Sequence, residues 1–441
     1  MKLQAMRTCF IYHILLLFLL APALHAQQGE QAARADVEYL TSRALMGRGY
    51  LHEGHEKAAA YIRQRFRSIG IDSLTDGYYY SFPLTAVVFP EGASLRINGS
   101  ELELGRQFIP AANSAGGISD GEFRGGLITS GLTIFQEGES VINDHEPARL
   151  PDGVLIIDEK IPDHIIADTT IPRHVLSLQW RLGTAVHRGW RAVIVVCDRL
   201  THSVASKEDR IPVFHVARNA MPDSVLSVSY SISAEAREIM AHNVIGYIPG
   251  VRRPDSLLVV CAHYDHLGAI GDSIYFPGAN DNASGVAMML SLAGHFKEQP
   301  PDYSIIFFAF TGEELGLKGS AMFAQLPLFE LSKIRFLLNM DMVASGREGI
   351  MAVGGTVFGR EFDLLKNAAV HAGVTDVRKR DPAPNSDQYP FTSRGVRGFY
   401  VYPFTGLQPY HHIDDKPETL EWDVFMRLRS IFLSFLIDLQ K

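Results

Sequence analysis

The residues with the greatest chemical potential in this chain stand just behind short apolar runs. His263 and Asp265 follow LLVVCA, Glu313 and Glu314 follow SIIFFAF, Asp341 follows IRFLLNM, and His411 and His412 lie a short loop beyond GFYVY. After the first of these runs, the stretch PGANDNASG (277–285) sets Asp281 between two asparagines in a Gly- and Pro-flanked turn that leads into an apolar, helix-like segment. The donors are imidazole nitrogens and carboxylate oxygens with no thiolate, a set that suits zinc with open coordination positions. One ion needs only three protein ligands. Two histidines and three carboxylates make five, which points to two ions sharing a carboxylate, about 3.5–4 Å apart, with a water polarised by both. A bridging residue must approach both ions, and a Gly/Asn turn at Asp281 lets the main chain come close. Taken singly, each residue has an ordinary reading: a hydrogen-bonded histidine after a strand, or a Glu-Glu pair favoured at a helix start by the dipole. The argument rests on their recurrence behind successive strands.

These positions require a particular scaffold. From NVIGYIPG onward, strand-like runs alternate with helical patterns, which predicts an α/β fold with a mostly parallel central sheet covered by helices. Ligands in such sheets bind outside the carboxyl ends of the strands, where every residue named above falls. Before this region, HEKAAAYIRQRFRSIGI places Ala58, Ile62, Phe66 and Ile69 at helical spacing, with Gly70 as the stop. A closing helix over 418–440 aligns Leu420, Val424, Leu428, Ile431, Phe435 and Leu439. Residues 91–236 differ in character: short runs such as GVLIID, AVIVVC and IPVFHV, broken by Gly, Pro and Asp, read as an inserted β-rich module with no acid/base cluster. His187, His202 and His215 within it read as surface or hydrogen-bonded residues.

The first 26 residues, with Lys2 and Arg7, an apolar core from Phe10 to Leu20 and small residues ending at Ala26, read as a signal peptide. The expected organisation is therefore signal peptide 1–26, N-terminal part of the main domain 27–90, insert 91–236 and catalytic domain 237–441. The apolar core is too short for a stable membrane anchor, and the expected location is the periplasm or the exterior. Removing the segment leaves 39 Lys and Arg against 49 Asp and Glu, a balance of −10, which argues against a nucleic-acid partner. Cys197 and Cys261 end apolar runs and are expected to be buried and unpaired. The oligomeric state is not encoded in any feature found.

AHYDHLG, GANDNASG, FTGEELGLKGS, NMDMV and YHHIDDKPE, in this order, resemble the exported two-zinc aminopeptidase family that also contains glutamate carboxypeptidase II-like and glutaminyl cyclase-like enzymes. The insert looks like the protease-associated module of many members. The resemblance implies two Zn2+ per chain: His263 and Asp341 on one, Glu314 and His411 on the other, Asp281 bridging. It further implies Glu313 as general base, Tyr410 polarising the scissile carbonyl, and Asp265 accepting from the far nitrogen of His263. His411 is chosen over His412 because the family's acid four residues on matches Asp415. Asn282 and Gln388 depart from the common pattern and bear on substrate preference. Peptides are the implied substrates, cut from the amino end. A glutaminyl cyclase-like acyltransferase, a carboxypeptidase or dipeptidase, and an inactive binding protein are the alternatives.

Overall fold

The computed structural model describes residues 28–119, 123–124, 153–161, 163, 166, 176–187, 190–404 and 409–441. The expected signal peptide lies outside the described residues. At the centre of a nine-stranded sheet run four parallel strands, in the order Tyr303–Phe310, Arg253–His263, Ile334–Met340 and Gly398–Pro403. All eight residues of Tyr303–Phe310 are buried. Period-2 alternation divides them between two cores: Ile305, Phe307 and Ala309 face one side, Ile306, Phe308 and Phe310 the other. Strands covered on both faces therefore read as continuous apolar runs. Outside these central strands the sheet is mixed, with Ile350–Val353 and Val377–Arg380 again parallel at one edge. Glu235–Ile248 pairs antiparallel with Tyr303–Phe310, carrying Asp72–Ser73 and Tyr79–Val88 beyond it, and Ile350–Val353 pairs antiparallel with Gly398–Pro403.

The expected helices form. Gly54–Ile69 buries Ala58, Ile62 and Phe66 against the sheet and stops at Gly70, whose φ of 82° lets its N–H reach the Phe66 and Arg67 carbonyls. A buried Ile or Phe of this kind contributes about 1.5–3 kcal/mol. Ser284–Glu298, Gly359–His371 and Trp422–Asp438 cover the same face, and the last buries Val424, Leu428, Ile431 and Phe435 as its periodicity requires. No helix among the described residues is long and apolar enough to cross a membrane.

Between the paired strands Tyr79–Val88 and Glu235–Ile248, the chain builds two smaller sheets. One has four strands (Phe108–Pro110, Val213–Ala217, Ala192–Cys197, Val154–Asp158) and the other five, centred on Ser227–Ile232. This region is β-rich, as its sequence predicts, but includes the helix Leu178–His187 between the parallel strands Val154–Asp158 and Ala192–Cys197. Its core is not closed off. Phe108, Ile194 and Phe214 share a cluster with Leu267, Phe276 and Ile413, which come from loops at the carboxyl edge of the main sheet. Cys197 and Cys261 are buried and unpaired.

Candidate metal centre

His263 closes its strand, opposite Phe310 in the register of the neighbouring strand, and Asp341 directly follows Met340. Glu313 and Glu314 lie in the turn after Phe310, and His411 lies beyond Pro403, with a φ of 54°. The four strand ends thus converge on Asp281. Its Oδ1 lies 3.4 Å from His263 Nε2, and its Oδ2 lies 3.2 Å from His411 Nε2. Each imidazole nitrogen has a second carboxylate at similar range: Asp341 Oδ1 at 3.4 Å from His263, and Glu314 Oε2 at 3.3 Å from His411. Two donors on one tetrahedral zinc, each about 2.0–2.1 Å from it, are about 3.3–3.4 Å apart. The spacing therefore fits zinc on both sides of Asp281. Donor atoms of Glu313 also lie within 4.8 Å of those of His263 and Asp341.

The asparagines explain how the opening turn holds its aspartate. Asn280 bonds Ser345 Oγ and the Ala344 N–H at 2.8 and 3.0 Å, while Asn282 spans from Met340 O to the Gly285 and Met342 N–H groups. Both tie the turn to the chain around Asp341. Asp415 accepts the N–H groups of Asn280 and Asp281 at 2.9 and 3.0 Å, fixing the main chain of the aspartate while leaving its carboxylate forward. Approach is close enough to require glycine: a Cβ on Gly278 would come 2.3 Å from His266, and one on Gly285 would come 2.3 Å from Asn282 Oδ1. Beneath the turn the fully buried Arg48 donates to the carbonyls of Tyr264, Leu40, Pro277 and Gly278 at 2.6–2.9 Å.

Charge supports cation binding independently of distance. Asp265, Asp281, Asp341, Asp387 and Asp415 are buried here, with Glu313 and Glu314 beside them, and among the described residues Arg48 is the one arginine buried with them. Burial raises Asp265 to about 6 and Asp387 and Asp415 to about 7, and pushes Glu313 well above the carboxylate range against the pull of His263. Burial would lower His411, but Glu314 and Asp281 outweigh it and raise it to about 11. Asp341 and Glu313 likewise raise His263 despite its burial. Without a metal, the acids draw protons to positions where zinc ligands offer lone pairs. Divalent cations resolve that excess negative charge.

Several expectations change in detail. Asp265 does not meet His263 Nδ1 with its carboxylate, which lies 3.8 Å away; the ring instead bonds the Asp265 main-chain oxygen at 3.1 Å. With one residue between them, the carbonyl reaches the ring first. The carboxylate accepts Tyr50 Oη–H at 3.1 Å and faces the N–H groups of Glu313 and Glu314 at 3.3 and 3.4 Å, so it shapes the turn that presents both glutamates. His412 faces Asp414, not the carboxylates of the centre. Tyr410 is 45% exposed at the rim, its ring stacked on that of His411 at 3.8 Å. Gln388 bonds Asn339 and the Ala383 carbonyl, behind the centre, and Ser386 Oγ donates to Asp341.

Sequence reasoning missed three contributors. His266, within AHYDHLG, places Nδ1 2.7 Å from Glu314 Oε1 and so orients that glutamate. Arg48 carries no local signal. His202 is the third: its main-chain oxygen accepts from His411 Nδ1 at 2.9 Å and its N–H donates to the His411 carbonyl at 3.0 Å. The insert supplies none of the five expected ligands, yet its backbone fixes the orientation of one of them, the usual outer partner of a ligating histidine.

Residues 243–436 match the model of peptidase family M28. Among curated proteins, a probable zinc metalloprotease of Pyricularia oryzae is 28% identical over 259 residues, 55% of this chain and 46% of that protein. Aminopeptidase YwaD of Bacillus subtilis is 39% identical over 163 residues, 35% of this chain and 34% of that one. The matches thus span less than half the length of these relatives. Two solved structures share the fold over nearly the whole chain at 20% identity: BSAP, a zinc aminopeptidase from Bacillus subtilis (TM-score 0.67, 93% of this chain and 94% of that one), and a peptidase M28 precursor from Shewanella amazonensis SB2B (TM-score 0.69, 95% and 96%).

Proposed function

We propose that this chain is an exported zinc aminopeptidase holding two zinc ions, a reading supported by the match of residues 243–436 to the model of peptidase family M28. The observation that carries this reading is the placement of the two Asp281 oxygens against different histidines, each with its own second carboxylate. His263 and Asp341 would hold one ion, His411 and Glu314 the other, and Asp281 both. Zinc bound there supplies Lewis acidity that brings the pKa of a water toward neutrality and polarises a carbonyl. Glu313, close to His263 and Asp341, takes the proton of the attacking water as its oxygen adds to the peptide carbonyl. The same carboxyl returns the proton to the amine nitrogen as the C–N bond breaks. Tyr410 keeps its hydroxyl proton, since the partial burial of its ring and the nearby acids raise its pKa above the ordinary value, and it donates to the carbonyl oxygen. The curated aminopeptidase relative and the zinc aminopeptidase fold support cleavage from the amino end. The apolar leader over 1–26 supports export.

The test is a panel of free and N-acetylated aminoacyl nitroanilides and peptides. Free amino termini should be required, a chelator should abolish turnover, and zinc should restore it. Release of residues from the carboxyl end of N-acetylated peptides would replace the aminopeptidase reading with a carboxypeptidase one.

A further inference from the structure

The edge of the central sheet opposite the metal centre carries a second concentration of charge, and its sign is reversed. A cavity of about 470 Å3 opens there: Arg253 and Tyr303 begin adjacent parallel strands, Arg335 is the second residue of the next, and Arg397 directly precedes the fourth. The helix Gly359–His371 adds Arg360 and Glu361 from its first turn. Four guanidinium groups thus line the cavity with one carboxylate, in a chain where acids outnumber bases. That carboxylate is already used. Glu361, buried, accepts from Arg397 Nη2 at 2.6 Å, and the same guanidinium lies 4.9 Å over the Phe358 ring. Among the described residues the other three arginines form no ion pair. Arg253 Nη1 donates to Tyr303 Oη at 3.0 Å and Arg335 Nε to Ser256 Oγ at 3.2 Å, while Arg360 has no partner. Both hydroxyls line the cavity at 8% exposure; each accepts from an arginine, and its own proton is donated to no atom among the described residues. Leu258, Phe336 and Leu439 complete the lining with apolar surface.

We propose that this cavity binds a phosphate monoester, its phosphate held by Arg253, Arg335 and Arg360 and its organic part resting on Leu258, Phe336 and Leu439. Three guanidinium groups brought together from three elements without an acid repel one another, and an oxyanion between them relieves that repulsion. A carboxylate offers two oxygens in one plane and a single charge. A phosphate ester offers three anionic oxygens spread about a tetrahedral centre and a charge of about −1.5 to −2 at pH 7, so it can accept from forks and hydroxyls that approach from different sides. The apolar lining favours an ester over the inorganic ion. Strands of seven or eight residues at about 3.3 Å each put roughly 25 Å between this edge and the metal centre, so binding here is separate from hydrolysis and does not depend on the peptidase reading. The ester comes either from a free small molecule or from a lipid headgroup of the same chemistry.

The experiment is calorimetry on the zinc-loaded protein with phenyl phosphate, inorganic phosphate and benzoate at an ionic strength of about 0.15 M, in the parent, in Arg360→Gln and in the Arg335→Gln/Arg360→Gln double variant. The parent should bind phenyl phosphate with a Kd below about 1 mM, more tightly than inorganic phosphate and at least about tenfold more tightly than benzoate. Loss of one charged donor should weaken phenyl phosphate at least about tenfold in Arg360→Gln and roughly a hundredfold in the double variant, with peptide turnover unchanged. Arg360→Gln removes no bond within the fold, so it keeps the test decisive if the double variant fails to fold. Affinity that survives in Arg360→Gln places the anion elsewhere, the zinc centre included, and overturns the proposal; so does equal affinity for benzoate and phenyl phosphate, or no binding by the parent. Sedimentation with phosphatidylcholine vesicles, with and without phosphatidic acid, then separates the sources. Retention that requires phosphatidic acid and is lost in Arg360→Gln assigns the lipid headgroup, and phenyl phosphate binding without retention assigns the free ester.

Discussion

Replacing Asp281 by asparagine tests the geometry of the centre at its pivot. The substitution keeps the shape of the side chain, removes its charge and turns one of its oxygens into an amide that cannot ligate. The loop should survive, because Asp415 holds the main-chain N–H of residue 281 and Arg48 holds the Pro277 and Gly278 carbonyls, neither acting on the side chain. What is lost is a carboxylate lying 3.4 Å from one ligand histidine and 3.2 Å from the other. Breaking a buried charge pair by removing one partner costs about 3–5 kcal/mol. At about 1.4 kcal/mol per decade, that is a loss of roughly two to three and a half orders of magnitude in affinity, felt at both sites at once. The assay is elemental analysis after dialysis against a zinc buffer that just saturates the parent. Asp281→Asn should retain close to no zinc, whereas Glu314→Gln and Asp341→Asn should each retain close to one ion, since each serves one histidine. An Asp281→Asn protein that loses one ion and keeps the other would refute the shared-carboxylate arrangement.

Two further outcomes follow from the surroundings of the centre. Arg48→Met leaves buried carbonyls of Tyr264, Leu40, Pro277 and Gly278 without their donor; at about 1–3 kcal/mol per unsatisfied group, a loss of at least about 3–5 kcal/mol is expected, and a thermal midpoint within 3 °C of the parent would contradict the cradle role. In zinc-free protein, Asp387 and Asp415 titrate at about 7, above their ordinary value of 3.8, so the folded state binds more protons than the unfolded one between these limits and gains stability as pH falls. These two acids alone should add about 1–2 kcal/mol between pH 8.5 and 6.5, read as a rising urea midpoint that zinc loading suppresses; a midpoint that falls over that interval would contradict it.

Much of this arrangement was legible because burial on both faces turns a central strand into an unbroken apolar run, and because such a strand ends where its next polar residue begins. His263, Asp341 and the Glu313–Glu314 pair are found by that rule, and the Gly- and Asn-rich turn around Asp281 by its special backbone needs. The antiparallel flanks were not legible, since a buried antiparallel strand such as Val244–Ile248 has the same apolar pattern as a parallel one. Residues acting through distant main chain were also hidden. Arg48 bonds carbonyls up to 233 positions away, and His202 meets His411 across 209. Asp265 was assigned to the correct neighbourhood but to the wrong atom, because residue spacing does not distinguish a side-chain oxygen from a carbonyl two residues on.

The most direct test of the whole account is zinc content and turnover measured side by side in Glu313→Gln. Glutamine keeps the size and most hydrogen bonding of the glutamate but cannot accept a proton. Because Glu313 is assigned to neither zinc, both ions should remain while turnover of a free-amino-terminal substrate falls by roughly 10²–10⁴, the contribution of a general base. Turnover within tenfold of the parent, with both ions in place, would contradict the hydrolytic role given to this residue.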